Sequence, residues 1–177
     1  MICRWAQFPD NKKGIMPSIL EELLKARKDT RTMIKTETDP FKISILEGLQ
    51  LAFKLTANSI YGQCGAATSA ISFKELAAST TAVGRRMLEF ARDHTLKTFE
   101  GSVCVYGDTD SVFIKFKLPD HLSDTEKIQK SIELGQQSAS EVNKHLKHPQ
   151  ELEYEKTFFP FILFSKKRYI GNLYEFD

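Results

Sequence analysis

Two carboxylates one residue apart, Asp108 and Asp110, lie within Tyr106-Gly107-Asp108-Thr109-Asp110-Ser111. Val103 and Val105 precede them, and Val112, Ile114 and Phe116 follow, alternating as strand, turn and strand. Such a turn crowds both acids into a small volume, where like charges repel unless they share a divalent cation. Oxygen ligands with no Cys or His nearby suit Mg²⁺ or Mn²⁺. A metal-free, Asp-rich turn uses the same residue types, because Asp and Gly are common in turns. The preceding Tyr106-Gly107 and the apolar strands on both sides favour a site.

Three further groups carry chemistry. On one helix, Leu46, Leu49, Phe53, Ala57 and Ile60 recur at steps of three or four, which predicts a core-facing stripe. A second face carries Glu47, Gln50, Lys54, Asn58 and Tyr61. Lys54, Asn58 and Tyr61 therefore stack an ammonium, an amide and a phenol on one side, or else form an ordinary solvated face. On the preceding helix, Arg27 and Arg31 are an i, i+4 pair, which an antiparallel hairpin would set opposite Lys54. Three converging cations are costly unless an anion such as a triphosphate lies among them. The alternative is surface pairing with Asp29 and Glu37.

Near the C-terminus, Glu151, Glu153 and Glu155 alternate along a predicted strand, as accessory carboxylates or as the wet face of an edge strand. Lys166-Lys167-Arg168-Tyr169 follows a second strand. Beside a tyrosine, such a basic cluster suits a nucleic-acid backbone, and otherwise it is solvated surface. His94, His121, His145 and His148 show no ligand spacing.

The elements that must position these residues can be read along the chain. A helix over 15–34 has Pro17 in its first turn, Ser18 and Glu21 at capping-box spacing, and a stripe of Ile19, Leu20, Leu23 and Leu24. Thr38-Asp39-Pro40 marks a turn, and a helix over 41–61 returns to complete an antiparallel hairpin. A small-residue loop after Gly62 and Gly65 leads to a helix over 73–99. The strand–turn–strand over 102–117 comes next. A fourth helix, capped by Ser123 and Glu126, carries Ile128, Ile132, Ala139, Val142 and Leu146. Leu152, Tyr154 and the run 158–164 read as strands. This order predicts an α+β fold rather than a doubly wound parallel sheet.

Composition sets the outer bounds. The chain has 177 residues, 41% hydrophobic and 27% charged, which is globular composition with room for one compact domain. The formal net charge of +2 does not by itself identify a nucleic-acid partner, so any basic surface must come from local clustering. Cys3, Cys64 and Cys104 are widely spaced and odd in number, which points to a reducing, intracellular setting. No apolar run is long enough to span a bilayer, and residues 1–13 lack the apolar core of a signal peptide.

Taken in order, these segments resemble family B DNA polymerases, with a close match to delta-like catalytic subunits, including those of large DNA viruses. Lys54, then Asn58-Ser59-Ile60-Tyr61-Gly62, is similar to the family's fingers-to-palm motif. Tyr106-Gly107-Asp108-Thr109-Asp110-Ser111 resembles its palm motif, and Lys167-Arg168-Tyr169 its primer-terminus motif. Gly14-Ile15-Met16-Pro17, with Leu24, Arg27 and Lys28, is similar to the first fingers helix.

The resemblance implies a fingers helical hairpin over 1–61, a palm of antiparallel sheet and packed helices over 62–165, and a palm–thumb junction over 166–177. It assigns Arg27, Arg31 and Lys54 to the incoming deoxynucleoside triphosphate, with Asn58 in support and Tyr61 on the minor-groove side of the nascent base pair. It assigns Asp110 and the neighbouring Asp108 to catalysis and metal binding, with Glu153 and Glu155 near the metal centre. Tyr106, Lys167, Arg168 and Tyr169 would contact DNA. Two Mg²⁺ ions, or Mn²⁺, would serve nucleotidyl transfer on a DNA primer-template. The resemblance also admits a sliding-clamp processivity factor, excludes a membrane, and implies a nuclear or viral replication site.

One departure is decisive. The family's palm also uses an aspartate from an upstream D-x-x-S-L-Y-P-S segment, and no such segment occurs here: Asp10 precedes Asn11-Lys12-Lys13, and Asp39 precedes Pro40. The chain therefore reads as a fragment or one frame of a split gene, joined in life to the rest of a polymerase chain and inactive alone. Its rival is a non-catalytic nucleic-acid or nucleotide-binding module. A metal-dependent glycosyltransferase ranks far below, because it leaves the Lys54-Asn58-Tyr61 and Lys167-Arg168-Tyr169 groups without a purpose.

Overall fold

A computed structural model describes residues 8–175, so Cys3, Phe176 and Asp177 fall outside the described residues. After a short 3-10 turn (Pro9–Asn11) the elements are α1 (Ile15–Thr36), α2 (Pro40–Gly65), α3 (Lys74–Thr98), β1 (Val103–Asp108), β2 (Ser111–Lys115), α4 (Asp124–Asn143), β3 (Thr157–Ser165) and β4 (Arg168–Tyr174). The fold is α+β, and its strands form two antiparallel pairs, β1 with β2 and β3 with β4. Contacts divide the chain into two compact units that meet at Thr81 and Ala82, within α3.

In the first unit α1 and α2 form the expected antiparallel hairpin. The capping box expected of Ser18 and Glu21 does not form. Gly14 is the N-cap, so Ser18 lies inside the helix, and its hydroxyl donates back to the Gly14 carbonyl at 3.0 Å. The seam face of α1 is also rotated from the expected stripe. Leu20, Leu23, Ala26, Arg27 and Ile34 are half-buried around buried Thr30, whereas Ile19 and Leu24 are 43% and 48% exposed.

Asp39 caps α2 by accepting from the Phe41 N–H at 2.9 Å, with Pro40 in the first turn, where its missing N–H costs nothing. The seam face of α2 is Ile43, Leu46, Gln50, Phe53, Ala57, Ile60 and buried Cys64. These residues are spaced alternately by three and four positions. Gln50 takes the place expected of Leu49, which is exposed, because Arg27 Nε reaches across to donate to Gln50 Oε1 at 3.3 Å. The helix also runs one turn beyond its expected end, through Gly62 to Gly65. There the Ala66 N–H closes it onto the Gly62 and Gln63 carbonyls.

The second unit is built on α4, whose capping box forms as the sequence predicts. The Ser123 N–H donates to Glu126 Oε2 at 2.8 Å, and the Glu126 N–H donates to the Ser123 hydroxyl at 3.4 Å. Ile132, Ala139 and Val142 are buried, Val142 completely. Across from them, the Thr95 hydroxyl on α3 bonds Ser138 at 2.7 Å in the same interior, so each satisfies the other's polar atom. The helix ends at Asn143, which leaves Leu146 in the turn that follows rather than on the apolar stripe.

Residues 151–156, expected as a strand, are not one. The Asn143 side chain donates to the Leu152 carbonyl at 2.9 Å and accepts from its N–H at 2.7 Å, doing for this backbone what a neighbouring strand would do. Tyr154 packs on Gly135, where an added Cβ would lie 2.6 Å from the ring. The alternation survives without the sheet. Leu152 and Tyr154 are half-buried, while Glu151, Glu153 and Glu155 are exposed. In β3 the register shifts around Pro160, as befits a residue with no N–H to give a ladder. A Cβ at Gly171 opposite would lie 2.7 Å from the Pro160 carbonyl, so that position admits only glycine.

Candidate functional site

Asp108 pairs with Ser111 at the end of β1–β2, leaving Thr109 and Asp110 as the two loop residues. The loop is tight. The Asp110 N–H donates to the Asp108 carbonyl at 2.6 Å, and Thr109 takes a left-handed backbone, with φ of 50°. A β-branched residue rarely adopts that conformation, which costs on the order of 1–3 kcal/mol and must be held by surrounding contacts. The matching loop of β3–β4 is Lys166 and Lys167, between paired Ser165 and Arg168, and Lys167 is also left-handed, at φ 63°.

The two strained loops meet. Lys167 Nζ lies 2.7 Å from Asp108 Oδ2, the Lys167 N–H donates to the Tyr106 hydroxyl at 2.8 Å, and that hydroxyl donates to Asp108 Oδ2 at 3.2 Å. The Thr109 hydroxyl donates to the other carboxylate oxygen at 3.1 Å. The Lys167 ammonium, followed by the Thr109 and Tyr106 hydroxyls, holds the Asp108 carboxyl below its usual range. In turn, Asp108 raises the Lys167 ammonium above its own. Beneath the tips, Tyr106, Phe113, Phe158, Phe161 and Tyr169 pack ring on ring, with centroids 5.2 Å apart for Phe113 and Tyr169 and 5.6 Å for Phe113 and Phe161. This aromatic bed fixes one hairpin on the other.

The two acids thus differ. Both oxygens of Asp108 are engaged, whereas the Asp110 side chain is exposed and bonds to no described residue. Asp110 opens onto a cleft of about 820 Å³, also lined by Ser111, Phe113, Glu153, Tyr154 and Glu155. Glu153 and Glu155 therefore share the cleft with Asp110. However, no three His, Cys, Asp or Glu side chains among the described residues converge as a metal site would require. Asp110 suits a hard divalent cation in ligand type, but a single free carboxylate is an incomplete set.

In the first unit the cations lie along a strip. Arg27 is bonded to Gln50, so the antiparallel register sets Lys54 opposite Leu23 and Arg31 opposite Leu46. Lys54 and Arg31 are then offset by about 12 Å along the axis, rather than both facing one point. The expected alternative of surface pairing with Asp29 and Glu37 is not realised. Glu37 accepts from the Thr38 and Asp39 N–H groups and lies 3.9 Å from Lys42. Arg31, Lys54 and Asn58 have exposed side chains that bond to no described residue. Tyr61, 45% exposed, bonds the Thr81 hydroxyl at 2.9 Å.

The sequence reading missed three parts of this arrangement. Phe113, Phe158 and Phe161 were not seen as a common bed, although Phe158 and Phe161 bracket a proline that cannot sit inside a regular ladder. Asn143 gave no signal as a backbone clamp, and neither did Thr81 as the partner of Tyr61. Each depends on a contact that no helix or strand period relates.

The family model described as DNA polymerase family B matches residues 4–177. The chain is 44% identical to a DNA polymerase of Pyramimonas orientalis virus over 221 residues, covering 99% of the chain and 18% of that protein. It is 40% identical to the DNA polymerase delta catalytic subunit of Drosophila melanogaster, covering 90% of the chain and 15% of that protein. It is 43% identical to a DNA polymerase of Phaeocystis pouchetii virus, covering 90% of the chain and 17% of that protein. The chain thus spans less than a fifth of the length of these relatives.

Proposed function

The chain belongs to DNA polymerase family B, and from that premise we propose that it supplies the fingers (1–61), the central palm (62–165) and the palm–thumb junction (166–177) of a DNA-directed DNA polymerase. The reaction is template-directed transfer of a deoxynucleotide to a primer 3′-hydroxyl, with release of pyrophosphate. The observation that carries this reading is the contrast at the hairpin tip, where Asp108 is locked to Lys167 while Asp110 beside it makes no hydrogen bond or ion pair with a described side chain.

Asp110 is the direct ligand for a divalent cation. Asp108 holds Lys167 in place, so that Lys167, Arg168 and Tyr169 present a basic and aromatic edge to the primer backbone. Tyr106 braces both. Arg27, Arg31 and Lys54, which pair with no anion among the described residues, neutralise the triphosphate, Asn58 supports it, and Tyr61 borders the nascent base pair. Mg²⁺ would activate the 3′-hydroxyl and stabilise the leaving pyrophosphate. A second acid must come from polymerase segments outside this chain, and Glu153 and Glu155 border the cleft as outer charges. DNA primer-template, deoxynucleoside triphosphates and a sliding clamp are the partners, at a nuclear or viral replication site. Among the described residues no helix is long and apolar enough to cross a membrane.

The test is primer extension with Mg²⁺ by this chain alone and by a complete polymerase carrying it. The expected result is extension only by the complete protein, abolished by Asp110→Ala. Extension that survives Asp110→Ala would show that the carboxylate is misassigned, and DNA binding without extension in the complete protein would favour a non-catalytic binding module.

A further inference from the structure

The hydrogen bond between Tyr61 and Thr81 has a direction. A threonine hydroxyl carries a single proton, and that of Thr81 is given to the Ala77 carbonyl at 2.9 Å, one turn back in α3. While that proton is on the Ala77 carbonyl, Thr81 accepts in the 2.9 Å contact with Tyr61 and the phenol donates. With its proton spent, the Tyr61 oxygen has only lone pairs left to offer. Tyr61 is 45% exposed and makes no other hydrogen bond with a described residue, so those lone pairs have no partner among the described residues.

We propose that Thr81 is a positioning residue that fixes Tyr61 as an acceptor-only group toward the minor-groove edge of the nascent base pair. The inference rests on the placement of Tyr61 beside that pair in the proposed function. Every base pair shows acceptors in the minor groove, the N3 of purines and the O2 of pyrimidines, and only a pair containing guanine adds a donor, the N2 amino group. An acceptor-only phenol bonds directly to that amino group and to no other minor-groove atom. Facing any other pair, it needs a bridging water. Thr81 thereby gives the pocket a preference for guanine-containing pairs that neither residue carries alone.

The probe is a nucleotide that keeps the pairing face of guanine but lacks the amino group. Hypoxanthine is that base, used in turn as template base opposite dCTP and as incoming nucleotide opposite template cytosine. In a complete polymerase carrying this chain, the ratio of kcat/KM for guanine over hypoxanthine is measured for the parent protein, Tyr61→Phe, Thr81→Val and Thr81→Ser. Circular dichroism checks that each variant folds. Tyr61→Phe and Thr81→Val should each lower the ratio about 3- to 10-fold in the same one of the two placements, the size of one hydrogen bond lost, and Thr81→Ser should restore the parent ratio. A lowered ratio in Tyr61→Phe with no change in Thr81→Val overturns the positioning role while leaving Tyr61 at the base pair. An equal fall in Thr81→Ser and Thr81→Val also overturns it, because the hydroxyl is then not the agent. No change in Tyr61→Phe overturns both this inference and the placement of Tyr61.

Discussion

The helical hairpin and the paired β-hairpins hold their charges in opposite ways. In the hairpin of α1 and α2, Arg31 and Lys54 are exposed and meet no anion among the described residues, and Arg27 leans on a neutral amide. Between the β-hairpins, Lys167 and Asp108 have already found each other, and two hydroxyls and a backbone N–H complete the knot. Unpaired cations on a helix face are arranged for a ligand that brings its own negative charge. A pre-formed ion pair at two strained turns is arranged to keep a shape. The acid that the knot leaves out, Asp110, is then the one free to meet a cation.

The contrast can be broken most severely at the two aspartates. In a complete polymerase, Asp110→Ala should reduce kcat by about 10³-fold or more, because a carboxylate that holds a catalytic cation supplies several kcal/mol to the transition state. Asp108→Ala should cost roughly tenfold, through misplacement of Lys167. Equal losses in steady-state primer extension would erase the distinction between them.

Lys54→Ala tests the open strip. Loss of a charge-assisted contact to phosphate should raise KM for the nucleotide about 10- to 100-fold. Primer-template affinity should stay within about twofold when measured by fluorescence anisotropy, and comparable losses in both would place Lys54 on the duplex instead.

Lys167→Met should weaken primer-template binding about tenfold. It should also reduce the slope of log affinity against log salt by about one, as expected for one phosphate contact. If the slope is unchanged, Lys167 serves the knot alone.

The smallest effect concerns pH. The Asp108 carboxyl is depressed by Lys167, so its share of the tie is complete above the unfolded carboxyl value near 4 and is lost as pH falls through the lower folded value. The Lys167 ammonium is raised by Asp108, so its share is complete below about pH 10 and is lost as pH rises through the higher folded value. The tie should therefore be flat between those limits and weaken outside them. NMR titration of the two side chains would read this, and a transition near neutrality would contradict the pairing.

Much of this architecture was legible in the sequence because it is local. The Leu46, Phe53, Ala57 and Ile60 positions on α2, the turn at Thr38-Asp39-Pro40 and the Ser123–Glu126 box each act within a turn or two, and each appears where the pattern put it. The errors have equally definite causes. Ser18 was given a cap it could not make once the helix began at Ile15. Leu49 lost its seam position to Gln50, since period alone cannot foresee an arginine arriving from the opposite helix. Residues 151–156 alternate like a strand yet pair with a side chain. The site was legible as residue types, but the division of labour between Asp108 and Asp110 depends on a lysine 59 positions beyond Asp108, and no spacing rule reaches that far.

The Asn143 clamp has a consequence of its own. By saturating both the donor and the acceptor of Leu152, it occupies the one point where an extended segment of six residues would most readily recruit a foreign strand. It should also make the Leu152 amide a slow-exchanging island in deuterium exchange, with faster neighbours on either side, in a stretch that has no ladder to protect it. A single amide side chain thus lends an irregular segment the permanence of a sheet, and keeps it from being used as one.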